Sequence, residues 1–221
     1  MERAVRKLPN PDCVVQVGYG RGFVVGSDSR RLVLTAAHCL PKLPPPHALS
    51  YLEERTYGNL LASLSGKRTV WAECLFADPV ADIAVLGAPD NQELFEEAEA
   101  FEDLVNSRRS LRIGNAQDGE GWMLSLDNRW VPTLIAVCGS WNASLEIGPT
   151  QGGQSGSPIL GCSGQAVGII VVGSETLSIK TGRTTNERSA GNPILACALP
   201  AWLLRLARSG PRKQPKGDLA S

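Results

Sequence analysis

Apolar residues in this chain come in runs of about four to eight, each cut short by glycine, proline or a charged turn. Such runs suit half-buried strands, and they are too brief for long amphipathic helices. The 23 glycines and 15 prolines supply the tight turns that many short strands need. A chain of 221 residues then makes one all-β domain or two small ones sharing an interface.

Cys13-Val14-Val15-Gln16-Val17 predicts a first strand, Gly18-Tyr19-Gly20-Arg21-Gly22 a turn, and Phe23-Val24-Val25-Gly26 a second strand. Leu32-Val33-Leu34-Thr35 continues the pattern and runs into a short helical turn at Ala36-Ala37-His38-Cys39-Leu40. Four prolines between Pro41 and Pro46 make an exposed loop. Residues 60–64 and 69–76 read as a hairpin, and Ala77-Asp78-Pro79-Val80 as a loop delivering Asp82 to the strand Ile83–Leu86. These strands suffice for a small barrel over residues 8–90.

Residues 91–110 form a linker in which Leu94, Phe95, Ala98, Phe101, Leu104 and Val105 recur at helical spacing among acidic residues. The second half, 111–199, predicts strands at 122–126, 130–137, 158–160, 166–172 and 193–199. A helix over 200–209 follows, with Pro200 at its entry, and a polar, disordered tail over 210–221.

Lys plus Arg and Asp plus Glu both number 22, so no net field draws the chain to nucleic acid. No run is long enough to cross a bilayer as a helix, and the charged N-terminus lacks the apolar core of a secretion signal. A cytoplasmic location is expected, with no membrane association. The six cysteines stand singly, without a Cys-x-x-Cys pair, and read as buried free thiols. With only two histidines and no metal-type spacing, neither a metal nor any other cofactor is expected.

Three segments carry chemistry. In Gly152-Gly153-Gln154-Ser155-Gly156-Ser157-Pro158 a serine is flanked by glycines that permit a tight turn. Such a turn can aim the N–H groups of Gly153 and Ser155 at one point, as an oxyanion hole requires. His38 is the candidate base, because His47 lies in the proline loop. Asp82, at the rim of an apolar strand, suits accepting a hydrogen bond from the other imidazole nitrogen. Each segment alone has a bland reading as a packed histidine, a turn aspartate or a glycine loop. Their co-occurrence, in the order His38, Asp82, Ser155, points to a catalytic triad.

Thr35-Ala36-Ala37-His38-Cys39, Asp82-Ile83-Ala84-Val85-Leu86 and Gly153-Gln154-Ser155-Gly156-Ser157-Pro158 resemble the histidine, aspartate and serine boxes of the trypsin/chymotrypsin superfamily. The likeness is nearest to its bacterial HtrA-type and small trypsin-like peptidases, and it covers roughly residues 12–208. It implies an all-β fold of two packed antiparallel six-stranded barrels with a short C-terminal helix and the triad in the cleft between them. It also maps the oxyanion hole onto the backbone of Gly153 and Ser155. The secreted members' disulfide has no counterpart here, since no cysteine lies around Gly22-Phe23-Val24. Gln154 replaces the aspartate that pairs with a new N-terminus in zymogen-activated members, which disfavours that route. Ser157 replaces a usual glycine, and the chain after the second half is too short for a PDZ module.

By the same resemblance, Pro149 and the strand edge Val171-Val172-Gly173 bound the primary substrate pocket. Nothing acidic stands near Pro149, so cleavage is expected after small or medium apolar residues of a peptide or protein substrate. Residues 90–110 and the proline loop are candidate surfaces for a regulatory partner. Two other readings stay open: a non-catalytic fold serving as a binding or sensing module, and an esterase-like hydrolase, which the all-β pattern disfavours.

Overall fold

A computed structural model describes residues 8–27, 30–45, 52–138, 144–146, 150–171 and 192–208. Strands β1 (Val14–Val17), β2 (Gly20–Ser27), β3 (Arg30–Ala36), β4 (Thr56–Ser63), β5 (Val70–Asp78) and β6 (Ile83–Gly87) close into a barrel. Their order is β1-β2-β3-β6-β5-β4, and the pairing of Val15 with Ser63 and Val17 with Leu61 shuts the ring. Every residue of β6 is buried. Phe23, Leu34, Leu61 and Leu86 fill the core. Each such side chain contributes about 1.5–3 kcal/mol on leaving water.

The second half is a six-stranded sheet of β7 (Gly119–Leu124), β8 (Trp130–Cys138), β9 (Ser144–Glu146), β10 (Pro158–Gly161), β11 (Ala166–Ile169) and β12 (Asn192–Pro193). Its order is β11-β10-β7-β8-β9-β12, and among the described residues it does not close. The closed barrel expected for the second half is not seen among the described residues. The last strand, expected over 193–199, is cut short. It is two residues long and ends on Pro193, which has no N–H to give a neighbour. The chain then turns into the four-residue helix α3 (Leu195–Ala198), whose Leu-Ala-Cys-Ala sequence favours a helix.

Three further helices complete the chain: α1 (Leu52–Arg55), α2 (Phe95–Asn106) and α4 (Ala201–Arg208). Ala98, Phe101 and Val105 turn inward from α2, whereas Phe95 at its start is exposed. Arg31 of β3 donates from Nη1 to Val105 O at 2.9 Å and to Arg108 O, placing a cation on the carbonyl end of that helix.

Residues 111–114 stitch the halves together. Leu111 N donates to Val24 O in β2, Ala166 N in β11 donates to Arg112 O, and Gly114 N donates to Ala166 O, all at 2.8–2.9 Å. Leu124, Leu160, Ala166 and Ile169 pack into the same core cluster as the barrel.

Other boundaries moved. The turn expected over 18–22 is confined to Gly18 and Tyr19, so Arg21 lies in β2. Strand β4 begins four residues before the expected Leu60, and Ala77 and Asp78 belong to β5 rather than a loop. Strand β11 stops at Ile169, short of the expected 172. Cys13, Cys39 and Cys74 are buried free thiols, but Cys162 and Cys197, also free, are exposed, contrary to the reading of buried thiols. Burial pushes the Cys13 thiol up to about 12 and Cys74 up to about 11, which leaves both unreactive. Among the described residues, no helix is long and apolar enough to cross a membrane.

Candidate active site

Strand β3 ends at Ala36 and the chain tightens into a 3₁₀ turn over Ala37–Cys39. The turn forms because Asp82, just before β6, grips it at three points. Asp82 O accepts from Ala37 N at 3.1 Å. Its Oδ1 accepts from His38 N at 2.9 Å, and its Oδ2 lies 2.6 Å from His38 Nδ1. Asp82 achieves this in the left-handed region at φ 52°, a conformation aspartate tolerates better than most residues. The pairing fixes the imidazole so that Nε2 is the nitrogen left to act.

The His38 side chain is 44% exposed and that of Asp82 is 22% exposed, so the pair is open to solvent. The hydrogen bond His38 donates to Asp82, and then the neighbouring Cys39 thiol, push the His38 pKa up to about 10 against a smaller opposing effect of burial. A carboxylate that stabilises imidazolium in the resting state also stabilises the imidazolium formed when His38 takes a proton.

Ser155 reaches this turn from the second half. Arg21 N donates to Ser155 O at 2.7 Å, and the Cys39 Sγ lies 3.8 Å from the same oxygen. Gly20 makes that approach possible, since a Cβ there would stand 2.5 Å from Cys39 Sγ and 2.6 Å from Ser155 O. Cys39 thus fills the seam as a free thiol. Among the described residues no hydrogen bond joins the Ser155 hydroxyl to the imidazole. Catalytic hydrogen bonds in unliganded sites are often open and tighten on substrate binding.

The serine loop folds as two consecutive turns. Gln154 N donates to Gln151 O at 3.2 Å, Ser157 N to Gln154 O at 2.9 Å, and Gly156 N to Ile170 O at 2.7 Å. Gly156, at φ 81°, packs where a Cβ would be 1.8 Å from Arg21 O, so no other residue fits. Gly153 and Ser155 contribute no N–H to any of these bonds, and among the described residues both donors are free. Two unpaired donors bracketing one residue can receive a developing oxyanion. The Ser157 hydroxyl is buried without a hydrogen-bond partner among the described residues.

Of the expected pocket residues, only Val171 can be located. It is half-buried just beyond β11, where Ile170 N donates to Ser157 O. Pro149, Val172 and Gly173 lie outside the described residues. Sequence reasoning missed Arg21 and saw Gln154 only as a lost aspartate. Gln154 Nε2 donates to Leu124 O at 2.9 Å, and its Oε1 accepts from Gln151 N at 2.6 Å. A lone arginine between glycines beside an apolar run was the available signal for Arg21.

The trypsin-like peptidase domain family matches residues 20–169, about two thirds of the chain. The chain belongs to this family of serine peptidases. No curated protein matches it by sequence. The solved structure of a human pathogenic astrovirus serine protease is similar at a TM-score of 0.51 and 16% identity, over 90% of this chain and 100% of that one. A serine endoprotease from Yersinia pestis gives a TM-score of 0.51 and 16% identity, over 90% of this chain and 65% of that one. At such identities the likeness concerns the fold. The His38–Asp82 turn and the serine loop adjoin across the seam of barrel and sheet, through Cys39 Sγ and Ser155 O.

Proposed function

We propose that the chain is an endopeptidase that cleaves peptide bonds through His38, Asp82 and Ser155 and an acyl-enzyme intermediate. The observation that carries this reading is the three-point grip of Asp82 on the His38 turn beside a glycine-bounded serine with two free N–H donors. His38 Nε2 takes the Ser155 hydroxyl proton as Oγ bonds to the scissile carbonyl carbon. The carbonyl oxygen gains the negative charge and is received by the Gly153 and Ser155 N–H groups. The C–N bond then breaks, and the imidazolium returns its proton to the leaving amine. Water repeats the sequence on the acyl-enzyme, with His38 again the base, and releases the acid.

For specificity, the absence of an acidic residue beside Pro149 supports cleavage after small or medium apolar residues, with Val171 offering backbone groups to an extended peptide. A fluorophosphonate probe tests the mechanism. It should label Ser155 in the native protein and leave Ser155→Ala and heat-denatured samples unlabelled. Absence of labelling in the native protein would overturn the reading. A peptide-library profile dominated by Arg or Lys would overturn the specificity.

The second reading, a non-catalytic module for binding or sensing, draws on the missing bond between the Ser155 hydroxyl and His38. The same probe decides it, because a module that only binds leaves the serine unmodified.

A further inference from the structure

Arginine is a costly residue to bury, yet Arg21 is only 7% exposed within β2, between Gly20 and the apolar Gly22-Phe23-Val24. Burial lowers its pKa, and Asp127 offsets this only in part. Among the described residues, no carboxylate lies within ion-pair distance of it. Carbonyls hold the cation instead. Nη1 donates to Ser125 O at 2.9 Å and Leu124 O at 3.4 Å, and Nη2 to Leu126 O at 3.1 Å and Asn128 Oδ1 at 3.0 Å. These acceptors stand where β7 runs out into its turn to β8, and β7–β8 pairing ends at Leu124 opposite Trp130.

The backbone of the same residue holds the serine. Arg21 N donates to Ser155 O at 2.7 Å, and Arg21 O, braced by Thr35 Oγ1 at 2.7 Å, presses on Gly156. Gln154 closes the circuit through its bond to Leu124 O, the carbonyl that Arg21 also uses. The turn so held also carries Leu126, whose Cδ2 is 3.4 Å from where a Cβ on Gly153 would sit.

We propose that Arg21 is a positioning residue, which with Gln154 clamps the serine loop to the end of β7 and keeps the Gly153 and Ser155 donors aligned without any activating cleavage. This rests on the proposed peptidase mechanism. A planar fork reaching four oxygens is peculiar to arginine, so lysine cannot replace it. Donors displaced by about 1 Å lose on the order of 10²-fold in rate.

The test compares the rate of fluorophosphonate reaction with Ser155 in the wild type, Arg21→Met, Arg21→Lys, Gln154→Met and a core control, Ile135→Ala. Arg21→Met and Arg21→Lys should react on the order of 10²-fold more slowly. Peptide turnover in both should fall in kcat with KM little changed. Ile135→Ala, at a matched loss of Tm, should react nearly as fast as the wild type. Hydrogen–deuterium exchange should quicken at 151–157 and 124–128 in Arg21→Met and stay unchanged in β3 and β6. Equal labelling rates for Arg21→Met and wild type, or a loss no greater than in Ile135→Ala, would overturn the proposal. Should the wild type itself not react, the peptidase mechanism falls, and the exchange measurement alone decides the clamp, with unchanged exchange at 151–157 refuting it. If Arg21→Met does not fold, Gln154→Met, which keeps the cation and removes the bonds of Gln154 to Leu124 O and Gln151 N, is read in the same way.

Discussion

The two halves hold their shares of the candidate site by different means. In the closed barrel, His38 and Asp82 sit where β3 and β6 pair through Ala36 and Ile83, and they bond to each other directly. In the open sheet, Ser155 sits on a loop before β10 that is tied outward, by Ser155 O to Arg21 N of the barrel and by the Gln154 side chain to Leu124 O of β7. The barrel adds one carboxylate to a closed backbone ladder, whereas the serine loop depends on polar bonds across the seam. The candidate base is thus built in, and the candidate nucleophile is held in.

The largest break in this picture comes from Asp82→Asn. It should lower turnover by about 10⁴-fold with the fold intact, measured with an activated ester or peptide substrate. The pH profile should move with it. Because Asp82 raises the His38 pKa, wild-type activity should climb as pH rises well above the ordinary histidine value of about 6.5. The residual activity of Asp82→Asn should reach its plateau at lower pH.

Gly156→Ala attacks the seam itself, adding a methyl group onto Arg21 O at positive φ. A loss of about 3 kcal/mol or more is expected by denaturant unfolding, from strain and overpacking together. The core sharpens the contrast between the halves. Leu61→Ala in the closed ring should fall near the top of the usual range of about 2–5 kcal/mol, and Ile159→Ala in the open sheet near the bottom. A sheet that is open at its ends relaxes around a void more readily than a closed ring. Equal losses would mean that closure confers no rigidity.

Smaller effects follow. A raised His38 pKa contributes stability that is fully present below about pH 6.5 and is lost as pH rises through about 10. The Tm gap between wild type and Asp82→Asn should therefore shrink toward alkaline pH, from a modest start, because the imidazole is partly exposed to screening solvent. Ser157→Ala should be neutral or should raise stability by up to about 1 kcal/mol, since it removes a buried hydroxyl without a partner among the described residues.

The sequence carried the barrel well because its strands announce themselves locally. Val14–Val17, Phe23–Gly26, Leu32–Thr35 and Ile83–Leu86 are apolar runs bounded by turn residues, and the strands lie on them. The open sheet was harder to read. Whether it closes depends on long-range pairing of its terminal strands, and two residues at Asn192–Pro193 leave almost no pattern. The candidate triad was legible because each member has characteristic neighbours along the chain. The clamp was not, because Arg21 meets Ser125 and Leu126 more than one hundred positions away, and nothing local in either segment advertises the other.

The grip of Asp82 on the His38 turn has one more consequence. Two of its three attachments go to main-chain amides, one through the Asp82 carbonyl and one through Oδ1, so the carboxylate keeps an anchor that does not depend on the ring. The acceptor for Nδ1 is thus set in place by the main chain before the ring arrives.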